Sequence, residues 1–366
     1  MTAIADASPS AAAPSRVIAR TEGALGRLTL NRPEALNALD IGMIREMRRT
    51  LDTWREDSDV QIVLIDGAGE RGLCAGGDVR ALYDFLTTDR FEDTVAFFRE
   101  EYALDAEIAE YPKPVVAIAD GITMGGGIGI AGHAAIRVVT ERSKLAMPET
   151  RIGFTPDVGG TLLLGRAPGR LGEYLGLTGS TMSGADALYA GFADHYVPSD
   201  RLDALREALA FRADPTGPSE IVLLFDETPD PSPLSAARGW IDEVFAGDSV
   251  VEILARLRAA PQVAGEGPDP AGVADLLGEL SPTALAVTLE AVRESRAMDD
   301  LRPALEGEYR RVLWFAAHHP DLVEGIRAQL VDKDRNPSWN PATIGDLGGD
   351  AAAPARSHVP PTPLWD

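Results

Sequence analysis

The sequence predicts an α/β core followed by a mostly helical C-terminal region, and three observations carry that prediction. Two short runs, residues 62–65 and 115–119, are apolar at every position, which suits strands buried on both faces of a sheet. Each run ends in Asp-Gly and leads through a glycine-rich loop to the start of a helix; the loops are Cys74-Ala75-Gly76-Gly77-Asp78 and Met124-Gly125-Gly126-Gly127. From residue 234 to residue 330 the chain reads as mostly helical.

The elements follow in order. Residues 1–15, rich in Ala, Pro and Ser, read as a loose tail, with neither a basic start nor a long apolar stretch to make a targeting peptide. Residues 26–30 alternate loosely and end at Asn31-Arg32-Pro33, a strand and a turn. Asp40 is placed to cap a helix running to about Trp54, with Ile44, Met47, Leu51 and Trp54 at helical spacing. Between the two glycine units, residues 91–110 predict a long amphipathic helix with Phe91, Val95, Phe98, Tyr102 and Ile108 on its apolar face. Residues 136–140 suit a short strand, residues 143–160 a loop, and helical patterns resume at Thr161. Proline-rich stretches at 212–218 and 229–233 suggest linkers, and residues 332–341 a turn-rich loop. The division expected is a tail (1–15), a core (16–211), a helical region (212–345) and a poorly ordered tail (346–366).

Composition narrows the function. A length of 366 residues with 45% hydrophobic residues supports a large core without disulfide staples. Cys74 is the single cysteine, so no intrachain disulfide can form, and a reducing, cytoplasmic setting is the expectation. A net charge of −23 argues against nucleic acid or an anionic membrane surface as partner, because the long-range field repels phosphate. No apolar run approaches the ~20 residues of a membrane span.

The glycine loops have a bland reading, tight turns between packed elements, and a chemical one. A helix start carries backbone N–H groups without intrahelical partners, and glycine lets such a backbone approach a ligand closely. Two facing loops supply two converging donors, an oxyanion hole, with Gly77 and Gly126 as the candidates. Gly127-Ile128-Gly129-Ile130-Ala131-Gly132 also matches the dinucleotide fingerprint. That match sits in the second strand–helix unit rather than the first; a ribose site needs an acid ending the next strand about twenty residues on, where the nearest acids are Glu141 and Glu149, and Pro148 does not suit a continuing strand.

Other nucleophiles are scarce. There is no G-x-S-x-G elbow, and the five histidines show no H-E-x-x-H spacing, so no metal is expected. Cys74 has no histidine near it in sequence and suits a small packing residue. Carboxylates remain. Glu149 lies in the apolar, proline-stiffened stretch Ala146-Met147-Pro148-Glu149-Thr150, and Asp157 lies eight positions on. Such a loop fixes two carboxylates relative to each other. Equally, Glu149 is spaced to pair with Arg151 or Arg142, and Asp157 to cap the helix opening near Gly160. Glu101 sits at the apolar edge of its helix beside Phe97 and Phe98, where the plain alternative is a solvated edge with an arginine partner.

Taken together, residues 26–197 resemble the crotonase (enoyl-CoA hydratase/isomerase) superfamily, with Cys74–Asp78 similar to its first oxyanion loop and Gly121–Gly127 to its second. The resemblance implies a spiral of ββα units and an acyl-CoA thioester as substrate, the thioester carbonyl lying between the loops. The coenzyme A nucleotide is then expected near Asn31-Arg32-Pro33 and Asn37-Ala38-Leu39. Coenzyme A is part of that substrate, and no separate cofactor is implied. It is polyanionic, so its site needs local donors that overcome the acidic field.

In the hydratases of that superfamily two glutamates act. One falls at Glu149, but the other falls at Gly129, which has no side chain. Phe98-Arg99-Glu100-Glu101-Tyr102, Met147-Pro148-Glu149, Pro156-Asp157-Val158-Gly159-Gly160, Ser281-Pro282-Thr283, and the segment from Glu324 to Asp334 with Trp339 instead resemble the hydroxyisobutyryl-CoA hydrolase branch. Thr155 departs from it, where an apolar residue is expected. This branch implies Glu149 as nucleophile or as base for a water, Asp157 orienting water or protonating the leaving side, and Glu101 on the acyl hydroxyl. Gly77 and Gly126 hold the thioester oxygen. A role in valine breakdown also follows from the resemblance alone. The competing expectations are hydration or isomerisation of an enoyl-CoA, and a non-catalytic acyl-CoA- or dinucleotide-binding protein. A homo-oligomer stays open.

Overall fold

The structure, a computed structural model, describes residues 15–211, 217–262 and 267–365. The expected N-terminal tail, save Ser15, and most of the 212–218 linker lie outside the described residues.

Among the described residues, nine strands form two sheets. The larger has six: β1 (Val17–Glu22), β2 (Leu25–Leu30), β3 (Ile62–Gly67), β5 (Val115–Ala119), β7 (Ile136–Val139) and β9 (His195–Tyr196), in that spatial order. Only β1–β2 is antiparallel. The smaller sheet holds β4 (Gly72–Cys74), β6 (Ile122–Met124) and β8 (Lys144–Ala146), all parallel. Each successive pair, β3/β4, β5/β6 and β7/β8, gives one strand to each sheet, which is the spiral of ββα units expected.

The two uniform apolar runs are explained by burial on both faces. Leu64, Val116, Ile118 and Val138 point to one side, where Leu202, Leu205 and Leu209 of the helix Leu202–Phe211 cover them. Val63, Ile65, Val115, Ala117 and Val139 point to the other, into the main core. The three-residue strands of the small sheet escape sequence reading because a span that short carries no period.

Helix α1 (Ile41–Glu56) starts where expected: the Asp40 carboxylate accepts the Met43 N–H at 2.9 Å. Helix α2 (Val79–Thr87) is capped by Asp78 in the same way. Helix α3 (Phe91–Ala109) buries Val95, Phe98, Tyr102 and Ile108 as expected, and on the same face Glu101 and Asp105. Helix α4 (Gly126–Gly132) follows the second glycine loop, and α5 (Gly160–Arg166) follows the 143–160 loop. The C-terminal helix Pro282–Ser295 packs on α5, and Leu301–His318 packs on α3, so the helical region closes over the core.

One expectation needs correcting. The segment from residue 346 is not loose up to Trp365. Ala352, Ala355 and Leu364 are buried, a short helix Ala353–Arg356 packs on Leu301–His318, and Arg302 lies over the Trp365 ring at 4.5 Å. Its Ala/Pro composition carries no hydrophobic period, so these contacts are not readable from the segment alone. Within the other linker, Pro233 opens a regular helix, Pro233–Val244, capped by Ser232.

Candidate active site

The parallel order of the small sheet brings the site together. β4, β6 and β8 are neighbours and run the same way, so the segments leaving their C-terminal ends emerge side by side. Gly77 follows β4, Gly126 follows β6 and Glu149 follows β8, each within three residues of its strand end. All three, with Glu101 and Asp157, line one cavity of about 270 Å³. Its walls are otherwise largely apolar, with Leu82, Phe97, Phe98, Phe154 and Leu330.

The two amides are free and close. Leu39 N–H donates to Gly76 O and Asp78 N–H to Leu39 O, both at 2.8 Å, which leaves the intervening Gly77 N–H without an acceptor among the described residues. Gly126 is the first residue of α4, so its N–H has no intrahelical partner. A Cβ on Gly126 would lie 3.3 Å from the Gly77 nitrogen and 2.5 Å from Glu101 Oε1. The space between the loops is therefore open only because residue 126 lacks a side chain.

The carboxyls are buried beside them. Glu149 Oε2 and Glu101 Oε1 have no hydrogen-bond partner among the described residues. Neither plain alternative holds for Glu149: Arg142 pairs with Asp120, and Arg151 donates to the Thr178 carbonyl at 3.1 Å. Asp157 does not cap α5 with its side chain; it accepts instead from the Tyr102 hydroxyl at 3.1 Å. Glu101 is not at a solvated edge but 2% exposed. Burial, and then the charge of Asp157, pushes the Glu101 and Glu149 carboxyls well above the ordinary range. Burial, and then Glu308, pushes Asp157 up to about 8.

Three residues of this cluster escape the sequence reading as site residues. Tyr102 reads in the sequence only as part of an apolar helix face. Asp105 is fully buried with both oxygens unpartnered, one turn along α3 from Glu101. Its carboxyl fills the space beside Gly129: a Cβ there would lie 2.6 Å from Asp105 Oδ1 and 2.8 Å from Val158 Cβ. Glu308, 1% exposed, contacts the loop after Asp157. A signal existed for both acids, since Asp105 shares the face of Glu101 and Tyr102, and Glu308 lies among Leu305, Tyr309 and Val312.

Other expectations resolve on packing. Cys74 is buried and its thiol is pushed up to about 12, chiefly by burial, so it stays an inert packing group. The Thr155 hydroxyl, odd in an apolar place, accepts from Thr288 at 3.2 Å. The fingerprint glycines lie inside or at the end of α4, where added Cβ atoms would strike the Cys74 backbone, Asp105 and Leu163. They serve close packing rather than a pyrophosphate. Among the described residues no group of three or more His, Cys, Asp or Glu side chains is arranged to hold a metal ion, and no helix is long and apolar enough to cross a membrane.

Comparison with known proteins gives the family. The family model described as enoyl-CoA hydratase/isomerase matches residues 25–353. The chain belongs to that family. Within it, the chain is 40% identical to the 3-hydroxyisobutyryl-CoA hydrolase, mitochondrial, of Danio rerio, over 92% of this chain and 88% of that one. It is 38% identical to 3-hydroxyisobutyryl-CoA hydrolase 1 of Arabidopsis thaliana, over 92% and 90%. Among solved family members, a carnitinyl-CoA dehydratase from Mycobacterium thermoresistibile is 47% identical, with TM-score 0.88 over 96% of this chain and 98% of that one. An enoyl-CoA hydratase from Rhodobacter sphaeroides 2.4.1 is 39% identical, with the same TM-score over 96% and 99%.

Proposed function

We propose that this chain hydrolyses a short 3-hydroxyacyl-CoA thioester, 3-hydroxyisobutyryl-CoA, to the free acid and coenzyme A. The carrying observation is that two free glycine amides and an unpartnered Glu149 oxygen share one cavity, while residue 129 has no side chain to supply a second acid. The thioester oxygen accepts from Gly77 and Gly126 N–H, which strengthen their hold as it becomes an anion. Glu149, as carboxylate, attacks the carbonyl carbon to give a mixed anhydride that water then opens, or takes a proton from an attacking water. The C–S bond breaks, and the departing thiolate takes a proton. Asp157, largely in its acid form at neutral pH, supplies that proton or orients the water. Glu101 accepts the hydrogen bond of the acyl 3-hydroxyl. The apolar walls suit a short branched acyl group, and coenzyme A enters as part of the substrate. A cytoplasmic setting and a place in valine breakdown belong to the same proposal.

The two solved relatives, a dehydratase and a hydratase, favour a second reading, addition or removal of water at an enoyl-CoA. Residue 129 weighs against it. The acid missing there is not replaced by Asp105, which fills the space but does not line the cavity.

A panel of short acyl-CoAs assayed for free thiol decides between them. We expect release from 3-hydroxyisobutyryl-CoA and none from crotonyl-CoA. Glu149→Gln is expected to lower release at least ~10³-fold while leaving acyl-CoA affinity within about threefold. Hydration of crotonyl-CoA without thiol release would refute the hydrolase.

A further inference from the structure

The turn after Asp157 is an unfavourable piece of backbone, and an acid from the C-terminal region takes up the donors that follow it. Val158 and Gly159 both take left-handed conformations, with φ of 52° and 75°. A β-branched valine rarely adopts that region, so surrounding contacts must impose it. On one side His133 Nε2 bonds the Val158 carbonyl at 2.8 Å. On the other, Glu308 of the helix Leu301–His318 accepts the Gly159 N–H at 2.7 Å, the Thr161 N–H at 2.9 Å and the Thr161 hydroxyl at 2.5 Å. No cation forms an ion pair with Glu308 among the described residues; Arg311, one turn on, pairs with Glu290 and Glu294. Glu308 is therefore not the partner of a structural arginine: its bonds all go to Gly159 and Thr161, on either side of Gly160, whose N–H closes the turn on the Asp157 carbonyl at 2.7 Å.

We propose that Glu308 is a positioning residue for Asp157, fixing the left-handed turn that aims the Asp157 carboxyl into the cavity and setting a buried negative charge behind it. The proposal rests on the hydrolase reading only for the step that Asp157 serves. The groups around Asp157 come from every element packed on it: Glu101, Tyr102 and Asp105 from α3, Glu149 from the turn after β8, Glu308 with Arg311 behind it, and, through the neighbouring Val158 carbonyl, His133 from the end of α4. Burial pushes His133 down to about 4, so it is neutral there. After burial itself, Glu308 is the largest influence keeping the proton on Asp157.

Glu308→Gln keeps the size, removes the charge and sets an NH₂ group against one of the loop donors. We expect kcat for thiol release to fall about 10- to 100-fold, with KM within about threefold. The protonation midpoint of Asp157, read by infrared carboxyl titration of the free protein and assigned with Asp157→Asn, is expected to move to lower pH. Ser295→Ala, which removes the 2.9 Å contact to the same Thr161 hydroxyl and no charge, is expected to leave that midpoint in place. An unchanged midpoint in Glu308→Gln overturns the proposal, whatever the rate. Should that variant not fold, Glu308→Asp withdraws the carboxylate and keeps its charge; a wild-type kcat in it is equally fatal. If the wild-type protein releases no thiol from any acyl-CoA, the hydrolase reading fails by itself. The infrared titration still decides whether Glu308 governs Asp157.

Discussion

Replacing Gly126 by alanine would put a methyl carbon 2.5 Å from Glu101 Oε1 and 3.3 Å from the Gly77 nitrogen, in the space where a thioester oxygen must sit. Its backbone needs no glycine conformation, since φ is not positive there. The variant is therefore expected to fold with a melting temperature close to wild type and to lose about 100-fold or more in thiol release, measured in the same assay. Asp157 gives a second test. Where Asp157 ionises, its charge is the largest influence after burial holding the proton on Glu149, and Glu149 must lose that proton to act as nucleophile or base. In Asp157→Asn the acid limb of the pH–rate profile is thus expected to move to lower pH, even as the maximal rate falls. A limb that stays put would separate the two groups. These residue-level features were partly legible: Glu149 and Asp157 stood out as charges in a stiff apolar stretch. Tyr102, Asp105 and Glu308 did not, because a polar residue on a buried helix face looks like ordinary helix until its neighbour across the gap is known.

At the scale of elements, the site is held from three sides. The small sheet sets Gly77, Gly126 and Glu149 in a row, α3 presents Glu101 and Asp105 from one face, and the C-terminal helices close the cavity. That closure depends on Ser281. Its hydroxyl caps the helix Pro282–Ser295 by accepting the Ala284 N–H at 3.1 Å, and donates to buried Asp321 at 2.5 Å. Asp321 begins the short helix Asp321–Ile326, which leads through the π-turn Arg327–Val331 to Gln329 and Leu330 in the cavity wall. Ser281→Ala removes the cap and leaves the Asp321 carboxyl short of a partner. We expect a loss of about 2 kcal/mol in stability by denaturant titration. Helices of this kind were readable from caps and periodicity, as Asp40 and α1 show. The three-residue strands β4, β6 and β8 were not, although they decide which loops meet.

For the whole molecule, the unusual property is an acidic surface around a buried cluster of acids. Glu101, Asp105 and Glu149 lie well above their ordinary range, Asp157 is pushed to about 8 and Glu308 to about 7, each chiefly by burial. The folded state therefore holds protons that the unfolded chain gives up near pH 4. The sign follows directly: the stability these groups contribute is complete below about pH 4 and is lost as pH rises through the folded values. The net charge of −23 adds self-repulsion in the same direction. Calorimetry is expected to show a higher melting temperature at pH 6 than at pH 9. Asp105→Asn should narrow that difference, since it removes a group that binds a proton only in the folded state. An Asp105→Asn protein with the full wild-type difference would mean that Asp105 is ionised in the fold.

The sequence by itself determined the buried strands, the capped helices, the two glycine loops and the stiff stretch bearing Glu149 and Asp157. Each is fixed by local steric preference or by a hydrophobic period within one segment. Only the tertiary structure decided which groups meet. Parallel pairing of β4, β6 and β8 sets two amides and a carboxylate at one edge. Packing of α3 against α4 gives the space at residue 129 to Asp105, and a glutamate some 150 residues away holds the turn after Asp157. Those contacts join residues far apart in the chain, and no pattern within a single segment encodes a distance across a cavity.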